Sequence, residues 1–522
     1  MKTILKRIFL ALVLLFGPVC LFFITAQGMT AVNWALLPAF LFWFFLFGIW
    51  YLVFGRASAK TRFLRFFLVL GSFFLLGLIG SSLLRYEGSS SGSSFPKFAW
   101  VWESEPNESP GGMASVSKEL SEEEILKAAE NVLDFLGPDR DGMWDSASFS
   151  TNWSDQEPQL LWKRPIGKAW SSFVVHGGQA ITQEQAGDAE RVSSYALSNG
   201  ELIWHHDDPE TRLLLERAEN SGGAMGGDGP RATPVIHKDS VFSLGATGIL
   251  NCLDLNTGEK RWSRQVVREF GRETQRWGLA SSPLLIADLN IVVVASSDVP
   301  GATLVAFDLT TGEDRWVFEG QGASYSSPRI LEFFGQRQIV SVNAHSVTGL
   351  APETGKLLWR YDWRGNLPKV GQPLKISPNR ILATASYGVG SPLLELSRDG
   401  ENWSVTELWK STRMKTKFSS AAIVGEYAYG LDEGRLACID LASGGKVWKK
   451  EKFGFGQHLL FGDHLLVQTE SGEIVMGRLT PEAFEETGRI PALSSMTWNV
   501  PTVAGRVLLV RNDKEAAAYL LP

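Results

Sequence analysis

The stretch NCLDLNTGEKRW, residues 251–262, decides the fold. An alternating apolar run (Cys252, Leu253, Leu255) leads into a tight turn at Asn256-Thr257-Gly258, and Trp262 follows four residues later. Gly258 takes the left-handed backbone conformation that such a turn requires. Asp254 and Thr257 are placed to hydrogen-bond the backbone of the turn, and Trp262 offers a wide apolar face to whatever packs beside it.

The pattern recurs. AFDLTTGEDRW (306–316) carries Asp308, Thr311, Gly312 and Trp316 in the same places, and CIDLASGGKVW (438–448) keeps Asp440, Gly444 and Trp448. LAPETGKLLW ends on Trp359, YALSNGELIW ends on Trp204, and a worn copy, LELSRDGENWSVTELW, ends on Trp409. The closing tryptophans lie roughly 40 to 60 residues apart, a period at which repeats mean solenoids or propeller blades. Strand-period alternation within each copy selects the propeller, an all-β fold.

The blades fall at about 170–206, 232–262, 281–316, 326–359, 373–409, 419–448, 458–490 and 501–522. The last piece is long enough for three strands only. Upstream, Leu160-Leu161-Trp162-Lys163 reads as an outer strand with no inner strands of its own. The expectation is an eight-bladed β-propeller whose early strand completes the final blade and leaves no open edge. Seven blades is the fallback if 373–409 is miscounted. In the seventh blade, residues 480–489 read as a polar excursion longer than the usual turn.

The chain has 522 residues and a net charge of -6, which excludes nucleic acid as its main partner. Of its three cysteines, Cys252 and Cys438 hold one repeat position on two different blades, too far apart to bridge, and are expected as core fillers.

Residues 1–85 contain apolar runs at 8–25, 34–54 and 66–84, each near the length a bilayer demands, so three transmembrane helices are expected ahead of the propeller. Basic residues precede the first run and lie between the second and third. The positive-inside rule then places everything after Leu84 on the periplasmic side of the cytoplasmic membrane. A signal peptide cleaved after Ala26 is the alternative for the first run. Residues 86–118, with SSSGSS at 89–94, read as a flexible stalk. Within 119–137 a helix is expected over 121–136, opened by a Ser121/Glu124 capping box and stopped by Gly137-Pro138. Its apolar face of Ile125, Ala129, Val132, Leu133 and Leu136 would dock on the propeller, which fills 138–522.

Chemistry is expected at the mouth of the axial channel, where each innermost strand begins. Small hydroxyl residues recur there (Ser171-Ser172, Thr233, Ser281-Ser282, Ser326-Ser327, Ser419-Ser420), suited to crowding around a narrow axis and capping strand-end amides. The residues just ahead of them are the binding candidates: Lys168, Asp228, Arg231, Arg276, Trp277, Tyr325 and Lys417. Asp228 and Arg231, in GGDGPRATP (226–234), either hold a ligand or pair with each other. The densest histidine cluster, His205-His206-Asp207-Asp208, points to alternate faces of a strand, so no metal site is expected. Neither a nucleophile elbow, a phosphate-cradling Gly-Lys loop nor His-Glu-x-x-His occurs.

Ala306-Phe307-Asp308-Leu309-Thr310-Thr311-Gly312 through Trp316 resembles, residue for residue, the Ala-x-Asp-x-x-Thr-Gly-x-x-x-Trp motif of pyrroloquinoline-quinone (PQQ) repeat propellers. The resemblance covers about 139–522 and implies the quinoprotein-like eight-bladed architecture. FLGPDRDG (135–142) and GGDGPRATP also look like segments of membrane-tethered PQQ-repeat proteins of bacteria. The family divides into PQQ- and calcium-dependent dehydrogenases and a non-enzymatic, BamB-like branch. This chain has no adjacent cysteine pair, no Cys-x-x-Cys-His and short insertions between blades, all of which the resemblance ties to the dehydrogenases. The expected function is therefore a cofactor-free protein-binding or scaffolding module with a periplasmic protein partner. The alternatives are a PQQ-dependent dehydrogenase and a ligand-sensing ectodomain.

Overall fold

The computed structural model describes residues 47–54, 57–90, 95–100, 114–115, 120–211, 227–270, 273–365 and 368–522. The chain divides into two compact units, Met1–Pro106 and Asn107–Pro522. In the first, a helix over Ala59–Leu83 is followed by an antiparallel ribbon of Leu84–Ser90 with Phe95–Trp100, Leu84 lying opposite Trp100. Among the described residues no helix is long and apolar enough to cross a membrane. The first expected span and most of the second lie outside the described residues, and the third falls on the helix Ala59–Leu83. The expected preface of three transmembrane helices is thus not shown.

The second unit is an eight-bladed β-propeller. Blades 1 to 6 are four-stranded antiparallel meanders over 174–208, 235–265, 284–320, 329–362, 374–411 and 422–452. Blade 7 (457–491) holds one further strand from upstream, and blade 8 (502–520) holds two. The early strand, Gln159–Pro165, completes blade 8 by pairing with Glu515–Leu520, Ala518 opposite Trp162. The ring closes as the repeat count demands, and no blade 8 edge faces its neighbour unpaired. Ala114–Ser115, inside the expected stalk, pairs on the far side of that same strand, Ser115 opposite Trp162. Residues 480–483 make a tight turn, not an excursion: the Thr480 N–H donates to Ala483 O at 2.9 Å between strands Glu473–Leu479 and Phe484–Pro491.

The repeat motif binds one blade to the next. Asp254 Oδ1 accepts from the N–H groups of Asn256 and Thr257 at 2.9 and 3.0 Å, which fixes the turn. Gly258 has φ +72°, and the Trp204 ring of blade 1 lies directly on it: a methyl group placed on Gly258 would stand 2.5 Å from that ring. The Trp204 indole N–H donates to Leu255 O at 2.9 Å. The same docking links Trp162 to Leu197 O, Trp262 to Leu309 O, Trp316 to Pro352 O and Trp409 to Leu441 O, at 2.9 to 3.1 Å. Trp359 departs from the rule and donates to Gln338 of its own blade, because blade 5 carries the worn copy. Cys252 and Cys438 are buried free thiols.

Around the axis, backbone N–H groups at the heads of the inner strands donate to hydroxyls of the next blade. Ser172 N–H meets Thr233 Oγ1, Thr233 N–H meets Ser282 Oγ and Ser282 N–H meets Ser327 Oγ, all at 2.9 to 3.0 Å. Gln372 N–H does the same with Ser420 Oγ at 2.9 Å. The recurrent small hydroxyls therefore form a girdle that satisfies amides where no further strand can fit.

The far end of the axis is stoppered. The helix begins as expected, with Ser121 and Glu124 in a capping box, but occupies only Glu122–Ala128. Beyond it the backbone is extended, because its polar groups find partners on the propeller that a helix would deny them. Val132 exchanges two hydrogen bonds with Val175 of blade 1, and Leu133 O accepts from Ile236 of blade 2. Met143–Trp144 then adds as a parallel strand inside blade 7, opposite Leu460 and Phe461. These contacts fall on the second halves of inner strands that start at the mouth, so residues 132–144 close the opposite end. Between them, FLGPDRDG folds back on itself through left-handed residues Leu136, Gly137, Arg140 and Gly142. Arg140 is buried against Asp134 and donates to Pro283 O (2.8 Å) and Ser282 O (3.0 Å) of blade 3. Arg329 of blade 4 reaches back to Asp139 O and to Asp141, 2.9 Å away, and across to Pro373 O of blade 5 at 2.7 Å. Burial pushes Asp134 up and Arg140 down, and their mutual attraction opposes both shifts.

Candidate functional site

The stopper leaves the mouth as the accessible end of the axis. Between stopper and inner strands, at Asp134, Ser172, Thr233 and Thr502, lies a cavity of about 10 Å³. That is room for about one water, against the several hundred Å³ that an organic ligand fills.

At the mouth the expected residues separate into three groups. Lys168 is exposed, with its ammonium 3.9 Å from the buried Asp228 carboxylate. Arg231 does not pair with Asp228: its guanidinium turns into its own loop and donates to Gly229 O at 2.6 Å and Gly227 O at 2.8 Å. Burial pulls the Arg231 guanidinium down to about 10. In the second group Arg276 lies over the Trp277 ring, whose centroid is 5.8 Å from that of Tyr325, and the Tyr325 hydroxyl accepts from Trp277 N–H at 3.4 Å. Lys417 stands apart. Its buried ammonium is enclosed by the rings of Phe455 (4.3 Å), Tyr387 (5.4 Å) and Phe418 (5.6 Å), and burial lowers its affinity for a proton.

One group escaped the sequence reading. Trp498 packs on Trp170 and Phe418 with centroids 4.9 and 4.7 Å apart, and its indole N–H donates to Glu470 at 2.9 Å. The signal was available. Trp170, Tyr325, Phe418 and Trp498 each stand four residues before the first residue of an inner strand, so the repeat itself places an aromatic collar around the opening. Trp170, Trp277 and Phe418, half-buried, with the exposed Arg276 give the opening the aromatic and arginine composition enriched at protein interfaces.

Elsewhere, the strand-borne cluster at 205–208 is used internally. Asp207 forms a paired contact with Arg191 (2.6 and 2.8 Å), and Asp208 accepts from Asn251 at 2.6 Å. Glu485 and Glu486 are exposed on the outer strand of blade 7, Glu486 paired with Arg489 at 2.8 Å.

Two quinohemoprotein dehydrogenase structures share the fold, and a third solved structure scores just below them. The quinohemoprotein alcohol dehydrogenase of Comamonas testosteroni is 12% identical with a TM-score of 0.51, over 77% of this chain and 84% of that one. Quinohemoprotein alcohol dehydrogenase ADHIIG of Pseudomonas putida HK5 gives the same identity and score over 77% and 82%. BamB of Moraxella catarrhalis is 14% identical with a TM-score of 0.49, over 70% of this chain and all of that one. No curated protein matches the sequence. The profile of the PQQ-repeat family described as outer membrane protein assembly factor BamB matches residues 188–450, just over half of the 522 residues. With its interlocked Trp-Gly blades and closed eight-membered ring, the chain belongs to that BamB-type PQQ-repeat family.

Proposed function

We propose that the chain is a membrane-anchored propeller on the periplasmic side that binds another protein through its mouth. The observation that carries this reading is the stopper: residues 132–144 close the far end, with a water-sized cavity behind them, and the axis serves as a surface. The aromatic and cationic collar is what that surface presents. The family description, an assembly factor, is consistent with a role exerted by binding. Anchoring is supported by the apolar runs at 8–25, 34–54 and 66–84 and by the exposed Phe63, Leu64, Phe67 and Leu68 side chains of the helix Ala59–Leu83.

The residues at hand do not fit a calcium-bound quinone. Calcium takes six to eight oxygen ligands, and among the described residues no group of three or more His, Cys, Asp or Glu side chains stands ready to hold a metal ion.

The test is a photo-crosslinking residue at Lys168 or Arg276, both exposed at the mouth, in the full chain in its native membrane. A discrete protein adduct that disappears when Trp277 and Trp498 are replaced by alanine is expected. Adducts that form only from outer-rim positions would refute the mouth as the binding surface.

A further inference from the structure

Blade 6 carries an excess of positive charge. Residues 412–452 hold eight lysines and arginines against five acids, in a chain whose net charge is -6. The excess gathers on the outermost strand, Lys446–Lys452, of sequence KVWKKEK. Lys449 is 2.8 Å from the buried Asp432, which also faces Lys415 at 3.6 Å, so one carboxylate serves two ammonium groups. Lys450 donates to Glu482 O at 2.8 Å. Lys446, Lys452, Arg413 and Arg435 are exposed, and among the described residues none has a hydrogen-bond or ion-pair partner for its side chain; Arg435 lies opposite Lys452 in the sheet. Blade 2 shows the contrast. Arg261 and Arg264 on its outer strand are each held by two carboxylates, at 2.6 to 2.8 Å.

The same strand has an open backbone edge, since nothing pairs beyond it among the described residues. On blade 8 the corresponding outer edge is already extended by Ala114–Ser115 of this chain, so the outer strands of this propeller accept a fifth strand. Lysines on an open edge repel an identical edge of another copy. They attract an acidic segment for the same reason, while the backbone supplies the ladder. Val447, exposed between them, adds an apolar contact.

We propose that the outer strand of blade 6 is a docking edge for an extended acidic segment of a partner protein, added as a fifth strand. The proposal rests on the protein-binding reading above and gives it a second contact, remote from the axis. The test uses the full chain in nanodiscs of neutral lipid. The probe is a fluorescent decapeptide of alternating glutamate and valine, compared with the same peptide N-methylated at alternate residues. Saturable binding of the first is expected, at least tenfold weaker for the N-methylated peptide and for the triple variant Arg435→Glu, Lys446→Glu, Lys452→Glu. No binding, or equal binding of both peptides, would overturn strand addition. Vesicles of phosphatidylglycerol captured in place of the peptide, and lost in the triple variant, would assign the strip to a lipid surface instead. If the triple variant keeps both peptide binding and the mouth crosslink, this edge fails while the mouth reading stands.

Discussion

Replacing Gly258 by alanine separates the two reasons a glycine stands in the blade turn. The first is conformational: φ is +72°, and a residue with a Cβ in the left-handed region costs about 1–2 kcal/mol. The second is steric: the new methyl would lie 2.5 Å from the Trp204 ring, and overpacking of this kind costs about 1–3 kcal/mol. Gly258→Ala should therefore destabilise by about 2–5 kcal/mol. Gly400, in the worn repeat, is the internal control, with φ +59° and nothing within 4 Å of the position a methyl would take. Gly400→Ala should lose only the first contribution, about 1–2 kcal/mol. The assay is urea unfolding of the full chain followed by circular dichroism, comparing midpoints at constant slope. In a Trp204→Ala background the Gly258→Ala cost should fall to that of Gly400→Ala, a coupling of about 1–3 kcal/mol. Equal costs at Gly258 and Gly400, or no coupling to Trp204, would refute the indole as the reason for the glycine.

Other outcomes follow from the same structure. Trp316→Ala removes a ring that is 9% exposed and leaves Pro352 O without its donor, so a loss of about 3–5 kcal/mol is expected in the same unfolding assay. Arg140→Ala strands the half-buried Asp134 and removes two hydrogen bonds to blade 3, at a cost of about 3 kcal/mol, with the Asp134→Leu/Arg140→Met double variant recovering much of it. Burial pushes the Glu190 carboxyl from 4.5 up to about 7, where Ala246 N–H and Thr247 Oγ1 hydrogen-bond it at 2.8 Å. Between pH 4.5 and 7 the unfolded chain gives up this proton while the folded chain keeps it, so the Glu190 contribution to stability falls as pH rises. Glu190→Gln should abolish that fall and raise the urea midpoint at pH 8. His458, held from 6.5 down to about 4 by burial, acts in the opposite sense, losing stability as pH falls through that window, so His458→Gln should resist acid better than the parent. Titration of PQQ into the full chain, with and without calcium, should give no saturable heat; tight calcium-dependent binding would overturn the binding-module reading.

The ring was legible in the sequence because its determinants are local and repeated. Gly258, Gly312 and Gly444 mark turns, Trp262, Trp316 and Trp448 close blades, and the stray strand around Trp162 announces how the circle shuts. What the indoles dock on was not legible, since the partner glycine belongs to the next blade and no periodicity names it. The helix over 121–136 was overcalled for a related reason. Its start is written locally by Ser121 and Glu124, but its end at Ala128 is set by Val175 and Ile236, more than forty residues downstream. At the mouth, Arg231 looked like a partner for Asp228, whereas the glycine-rich loop curls tightly enough for its own carbonyls to take the guanidinium. The collar of Trp170 and Trp498 went unseen because its members are related by position in the repeat, not by nearness in the chain.

The stopper has a consequence for how this molecule comes to exist. Residues 132–144 are synthesised before every blade, yet their partners are Val175 and Ile236 near the start of the ring and Leu460 and Phe461 near its end. Val132 and Leu133 can pair as soon as blades 1 and 2 have emerged, but Met143 and Trp144 have no strand partner until Leu460 and Phe461, more than three hundred residues later, have been made. A fragment begun at Gln159 would keep four strands in every blade and still expose the inner edges that the stopper covers. The innermost strand of blade 7 is thus made before any blade and put in place among the last.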